Sequence, residues 1–236
     1  LEEKGAERGE RHGGAAKPAG LAGFWKREEN LSVLLALLVA QLFVLPVLGL
    51  TGVGFGARVV FSLLLLSGVA TVAPRRLALW ATGTLVLVAL VLEWSSLADR
   101  GGFPRLLETT VSLASLTLFA LLVLARTLSP GPMSRHRIEG AVAAYLLVGV
   151  ACGLGYELVE LARSGSFNLG AGPGHGALRS TFGYFSLVTL TTVGYGDVTP
   201  VSAAARALAT FEGAVGQLYP AILIGWMIAS LPTRRG

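Results

Sequence analysis

Thr189-Leu190-Thr191-Thr192-Val193-Gly194-Tyr195-Gly196-Asp197, read TLTTVGYGD, is the stretch on which the reading of this chain turns. Its two glycines stand one residue apart, and glycine adopts backbone angles that residues with a β-carbon avoid. Gly194 and Gly196 therefore let successive carbonyls point toward one axis. Carbonyl oxygens in such a row can replace the hydration shell of a cation. Thr192 adds a hydroxyl oxygen at the inner mouth of the row, while Val193 and Tyr195 are expected to point away and brace the loop. The plain alternative is a glycine-rich turn in a soluble protein. Apolar segments on both sides argue against it.

The composition agrees with a membrane setting. Of 236 residues, 53% are hydrophobic and 14% charged, and the mean hydropathy is +0.66. Soluble domains carry about 25% charged residues. The isoelectric point near 9.8 does not point to nucleic acid, because the basic residues lie between apolar segments. There they set topology and meet anionic lipid head groups. Cys152 is the single cysteine, so no intrachain disulfide can form, and its apolar helix suggests a small packing residue. His12, His136 and His175 have no metal-ligand or triad spacing. Neither an enzyme nor a cofactor is expected.

Residues 1–30 are polar, Gly/Ala-rich and mixed in charge, as expected for a cytoplasmic arm. Phe24-Trp25-Lys26 reads as an interfacial anchor. Six apolar helices are expected near 31–50, 55–73, 77–95, 107–128, 138–162 and 202–231, each able to cover a hydrocarbon core of roughly 30 Å. Between the last two, Ala177 to Leu190 is too short to span and fits a re-entrant helix. Irregular backbone beside it is tolerated only where protein or water surrounds it. With the N-terminus inside, Lys17, Lys26, Arg27, Arg75, Arg76, Arg126, Arg135, Arg137, Arg234 and Arg235 fall on the inner side. Arg58, Arg100, Arg105, Arg163 and Arg179 fall on the outer side, a bias that favours this orientation. The expectation is a multi-pass, all-α protein of the cell membrane with both termini cytoplasmic.

With the motif last in a six-helix plan, the chain resembles prokaryotic potassium channels of the voltage-gated-like superfamily. Residues 138–231 resemble the two-helix pore module, most densely over 181–217. The resemblance implies a homotetramer, since four filters close one ring. It implies K⁺ bound at Thr192, Val193, Gly194 and Tyr195, with Gly196 completing the selectivity filter. Asp197, Tyr184, Phe185, Thr191 and Val188 would support it. Gly216 falls where the family has a gating-hinge glycine, although close helix packing is an alternative there. Pro220 would favour a kink, and Gln217 and Ile224 are expected to face the cavity. The implied domains are the arm 1–30, a voltage-sensor-like unit 31–128, a linker 129–137 and a pore domain 138–236. The basic, proline-broken linker suggests contact with anionic lipids in the bilayer.

Several positions depart from that pattern. Tyr184 and Phe185 stand where two aromatic residues, often tryptophans, cuff the filter; Tyr184 is expected to reach Asp197, and Phe185 cannot donate to Tyr195. Val188 replaces a carboxylic acid found in some bacterial channels. Glu212 lies within the last helix, where an ionisable group is costly and by default functional. It reads either as a filter-coupled, proton-sensitive carboxylate or as a group paired for packing. Glu157 and Glu160, at the end of helix five, read as acids that raise local cation concentration at the mouth or, more simply, as a solvated helix end. Helix four has no arginine between Arg105 and Arg126. A voltage sensor needs several, because each charge crossing the field contributes roughly 2.3 kcal/mol per 100 mV. Weak or no intrinsic voltage dependence is expected. The competing readings are a transporter pore subunit and a non-conducting sensor or assembly subunit.

Overall fold

A computed structural model of the chain describes residues 29–48, 55–71, 76–95, 102–128, 135–170 and 178–229. The N-terminal arm, including Phe24-Trp25-Lys26, residues 129–134 of the linker, and His175 lie outside the described residues. The helices are α1 (Glu29–Val39), α2 (Phe55–Thr71), α3 (Arg76–Ser95), α4 (Gly102–Thr127), α5 (Arg135–Ala162), α6 (Leu178–Leu190) and α7 (Ala203–Ala229). They follow the apolar runs closely. Three of them are long and apolar enough to cross a membrane: Arg105–Thr127, Arg135–Ala162 and Ala203–Ala229. The apolar parts of α1, α2 and α3 are shorter, at Leu31–Val47, Phe55–Val69 and Thr82–Ser95.

Two local features were not expected. Helix α1 widens into a π-helical turn over Ala40–Val44 and ends in a last α-turn, Leu45–Val47. Pro46 accounts for the change of register, because it has no N–H to give the carbonyl four residues earlier. Two short strands, β1 (Phe167–Asn168) and β2 (Thr199–Pro200), pair antiparallel with Phe167 opposite Pro200. Together with Val201 N and Ser202 N on the Ser166 carbonyl (2.8 and 3.1 Å), they tie the exit of the TLTTVGYGD loop to the end of α5. Glu160 caps the intervening turn, its carboxylate accepting from Gly165 N and Phe167 N at 2.8 and 3.1 Å. Ser202 caps α7 through Ala205 N at 3.2 Å.

One core joins α1–α4 to α5, with Leu34, Leu38, Leu64, Leu116 and Leu147 fully buried. A second, behind α6, is aromatic: Tyr156, Phe167, Phe182 and Phe185 meet with ring centroids from 4.8 to 6.3 Å apart. The contacts at the two ends fix the direction of each helix. At one end Ser32 donates to Glu139, Arg137 binds the Thr127 carbonyl at 2.9 Å and Arg137 lies 4.9 Å over the Trp226 ring. At the other, Arg58, Arg105 and Arg179 at the starts of α2, α4 and α6 reach the ends of α3 and α5 at Glu93 and Glu157. Successive long helices thus alternate in direction. The start of α1 and the end of α7 share one end of the bundle.

Candidate functional site

The loop after α6 has an alternating backbone. Thr192, Gly194 and Gly196 have φ of 61°, 58° and 80°, and Thr192 is the one non-glycine residue with positive φ among the described residues. The intervening Val193 and Tyr195 do not share that sign. A side chain in this region costs about 1–2 kcal/mol, so Thr192 stores strain that its surroundings must hold.

What holds the loop is the end of α6. Thr191 N and Thr192 N donate to the carbonyls of Leu187 and Thr189, each at 3.0 Å. The Val188 carbonyl accepts both Val193 N at 2.9 Å and Gly194 N at 3.3 Å. The Thr191 hydroxyl adds a 2.7 Å bond to Leu187 O. These contacts satisfy the carbonyls that a helix C-terminus leaves open, and they make the loop move with α6. Residues 191–197 are all exposed in the single chain; this includes Val193 and Tyr195, expected to brace the loop. The Tyr184 hydroxyl lies near the Asp197 carboxylate.

Phe185 sits differently from its expected place. It is buried against Tyr156, with ring centroids 4.9 Å apart, and belongs to the aromatic core behind α6. One residue along a helix is a turn of about 100°, so Phe185 cannot share the face that Tyr184 presents.

The far end of α6 rests on α7 and α5. A β-carbon built on Gly216 would lie 1.9 Å from the Leu190 carbonyl oxygen. Gly216 therefore serves close helix approach. Pro220, four residues on, leaves the Gly216 carbonyl without its usual helical donor, yet α7 continues to Ala229. Tyr145 donates to the same Leu190 carbonyl at 3.0 Å. Gln217, Pro220 and Ile224 are exposed in the single chain.

Glu212 is fully buried between three helices. It accepts from Tyr156 on α5 and lies on the Ser186 hydroxyl of α6. Ser186 also reaches the Gly149 carbonyl at 2.6 Å. A hydroxyl has one hydrogen, and it cannot serve both acceptors.

The sequence pointed to neither Ser186 nor Tyr156, nor to the partners of Arg179. Glu157, expected to be solvated, is 1% exposed and paired with Arg105 and Arg179. The available signal was the equal number of acids and arginines at the same end of otherwise apolar helices.

Residues 144–231, which hold most of α5 and all of α6, the loop and α7, match a family model described as ion channel. This is less than half of the chain. A protein from Oryza sativa subsp. japonica, two pore potassium channel c, is 35% identical over 86 residues, covering 36% of this chain. The chain spans 17% of that relative's length. No solved structure matches it.

Proposed function

We propose that this chain is the subunit of a potassium-selective channel that conducts K⁺ passively through the loop Thr192–Gly196. The observation that carries this reading is the alternation of positive φ at Thr192, Gly194 and Gly196 in a loop clamped to the end of α6. That alternation turns successive carbonyls to one side. K⁺ exchanges its water for the oxygens at Thr192, Val193, Gly194 and Tyr195. The match of residues 144–231 to the ion channel family and the potassium channel named among the relatives favour the same ion.

One chain supplies one wall of such a path, so four copies around an axis complete it. The exposure of α7 supports this. Only 11% of its most apolar window is buried within the single chain, and Phe211, Leu218, Ile222, Ile224 and Ile228 are 57–66% exposed. In the tetramer α7 lines the cavity through Gln217, Pro220 and Ile224 and meets its neighbours elsewhere. Apart from the short α6, the remaining helices cross the cell membrane with both termini cytoplasmic, and Arg135, His136 and Arg137 meet anionic lipid. The absence of arginines between Arg105 and Arg126 on α4 gives the channel weak or no intrinsic voltage dependence.

The test is cation flux into liposomes holding the purified protein. Uptake driven by a K⁺ gradient, blocked when Na⁺ replaces K⁺, is the expected result. Equal flux of both ions, or none, refutes the reading.

A further inference from the structure

Six charged side chains from five helices meet at one end of the bundle. Arg179, in the first turn of α6, binds three carboxylates. Its Nη1 lies 3.0 Å from Glu93 Oε2 at the end of α3. Its Nη2 lies 3.0 Å from Glu108 Oε1 at the start of α4. Its Nε lies 3.1 Å from Glu157 Oε2 at the end of α5. Glu157 is shared with Arg105 at 2.9 Å, and Arg58 donates to the Glu93 carbonyl. The Arg179 guanidinium also lies 5.7 Å from the Phe61 ring centroid on α2. The three acids are 1–7% exposed.

A cation in the first turn of a helix opposes the helix dipole, and buried charges lose hydration. Arg179 is tolerated there because three carboxylates surround it, and they suit the positive end of α6. A pore helix held for stability alone needs no such arrangement; an apolar contact serves. What the arginine adds is reach. The main packing of α6 is on α5 and α7. A cavity of about 330 Å³ lies between it and α1 and α2, lined by Leu45, Phe61, Val150, Gly183 and Leu187 among others. Its middle and far end are held through Ser186, Gly149 and Leu190 by α5 and α7. The ion pairs of Arg179 extend from α6 to α3 and α4.

We infer that Arg179 is a positioning residue through which the first four helices set the tilt of α6, and with it the conductive geometry of the loop. The inference rests on the channel reading above. The lever follows from the geometry: the loop is bonded to Leu187, Val188 and Thr189 near the end of α6, so a change at Arg179 at its start is carried to the carbonyl row. The cavity leaves the helix room to move when Arg179 is released. Loss of Glu93 or Glu108, at the ends of α3 and α4, then alters ion residence in the filter.

The experiment uses the full chain in planar bilayers and Ba²⁺, a divalent blocker of nearly K⁺ size, as the probe of the filter. Block dwell times are measured for Glu93→Gln, Glu108→Gln, Arg179→Lys and Arg179→Gln. Glu139→Gln is the control; Glu139 joins α1 to α5 through Ser32 at the opposite end. Expected are dwell-time shifts of about 5-fold or more, the low end of coupling between sites, in Glu93→Gln and Glu108→Gln. Arg179→Lys should fall between wild type and Arg179→Gln. The double variant Glu108→Gln/Arg179→Gln should shift no further than Arg179→Gln alone, and the control should match wild type. If Arg179→Gln fails to assemble, the two glutamate variants and Arg179→Lys decide. Unchanged dwell times in both glutamate variants of a conducting protein overturn this inference alone. A wild type that carries no K⁺ current refutes the channel reading, and this inference with it.

Discussion

Gly216 and Leu190 touch backbone to backbone. A β-carbon on Gly216 would lie 1.9 Å from the Leu190 carbonyl oxygen and 2.8 Å from its carbon. Neither atom can give way without shifting α6 or α7, because Leu190 ends the helix that holds the loop. Gly216→Ala is therefore expected to destabilise the protein by about 1–3 kcal/mol, the usual cost of overpacking, and to reduce K⁺ current. Gly213, one turn earlier, has nothing within 4 Å of its β-carbon position. Gly213→Ala should be neutral or stabilise by up to about 1 kcal/mol through helix propensity. Thermal unfolding of the two variants in detergent checks the contrast; equal loss in both would show that the contact does not matter.

Gly194 and Gly196 carry φ of 58° and 80° with open space around them. Backbone angle, and not crowding, makes them necessary. Gly194→Ala and Gly196→Ala should each cost about 1–2 kcal/mol per subunit for the left-handed conformation and abolish K⁺ selectivity, while α6 and α7 still assemble. Size-exclusion profiles with bilayer recordings separate the two effects. Intact selectivity in Gly194→Ala would contradict the proposed role of the alternating backbone.

How legible the site was depended on distance along the chain. The positive φ at Gly194 and Gly196 is a local matter, and the two glycines signal it directly. The helices were legible from apolar runs, since burial in hydrocarbon leaves a continuous signal. The π-helical turn of α1 had its cause in view, Pro46, but the choice between a kink and a widened turn depends on packing. Glu157 read as solvated because its partner Arg179 lies 22 residues away. Glu93 and Glu108 are 86 and 71 residues from Arg179. Pairings at that range are set by tertiary structure.

Glu212 offers a test of the buried polar triad. Glu212→Gln keeps an acceptor for Tyr156 and supplies hydrogens for Ser186, so it should fold close to wild type. Glu212→Ala leaves the Tyr156 and Ser186 hydroxyls without this partner, and a loss of about 1–3 kcal/mol is expected. Thermal unfolding measures both. Currents recorded across pH then address the proton-sensitive reading: the wild type should respond to pH through Glu212, and Glu212→Gln should not. The same pH response in both removes Glu212 as a sensor.

The arginine-free stretch of α4 sets an expectation for voltage. Between Arg105 and Arg126 no basic residue can cross the field, and each charge that does cross contributes roughly 2.3 kcal/mol per 100 mV. The conductance–voltage relation should be shallow, with less than about one gating charge per subunit. A steep relation with several gating charges would overturn this.

The central claim is that the Thr192–Gly196 loop conducts K⁺ selectively. The most direct measurement is the reversal potential of currents through the purified protein in planar bilayers, with K⁺ on one side exchanged stepwise for Na⁺. The expected reversal potential follows the K⁺ equilibrium potential at every step. A reversal potential that stays near zero under a K⁺/Na⁺ gradient, or follows Na⁺, would contradict it.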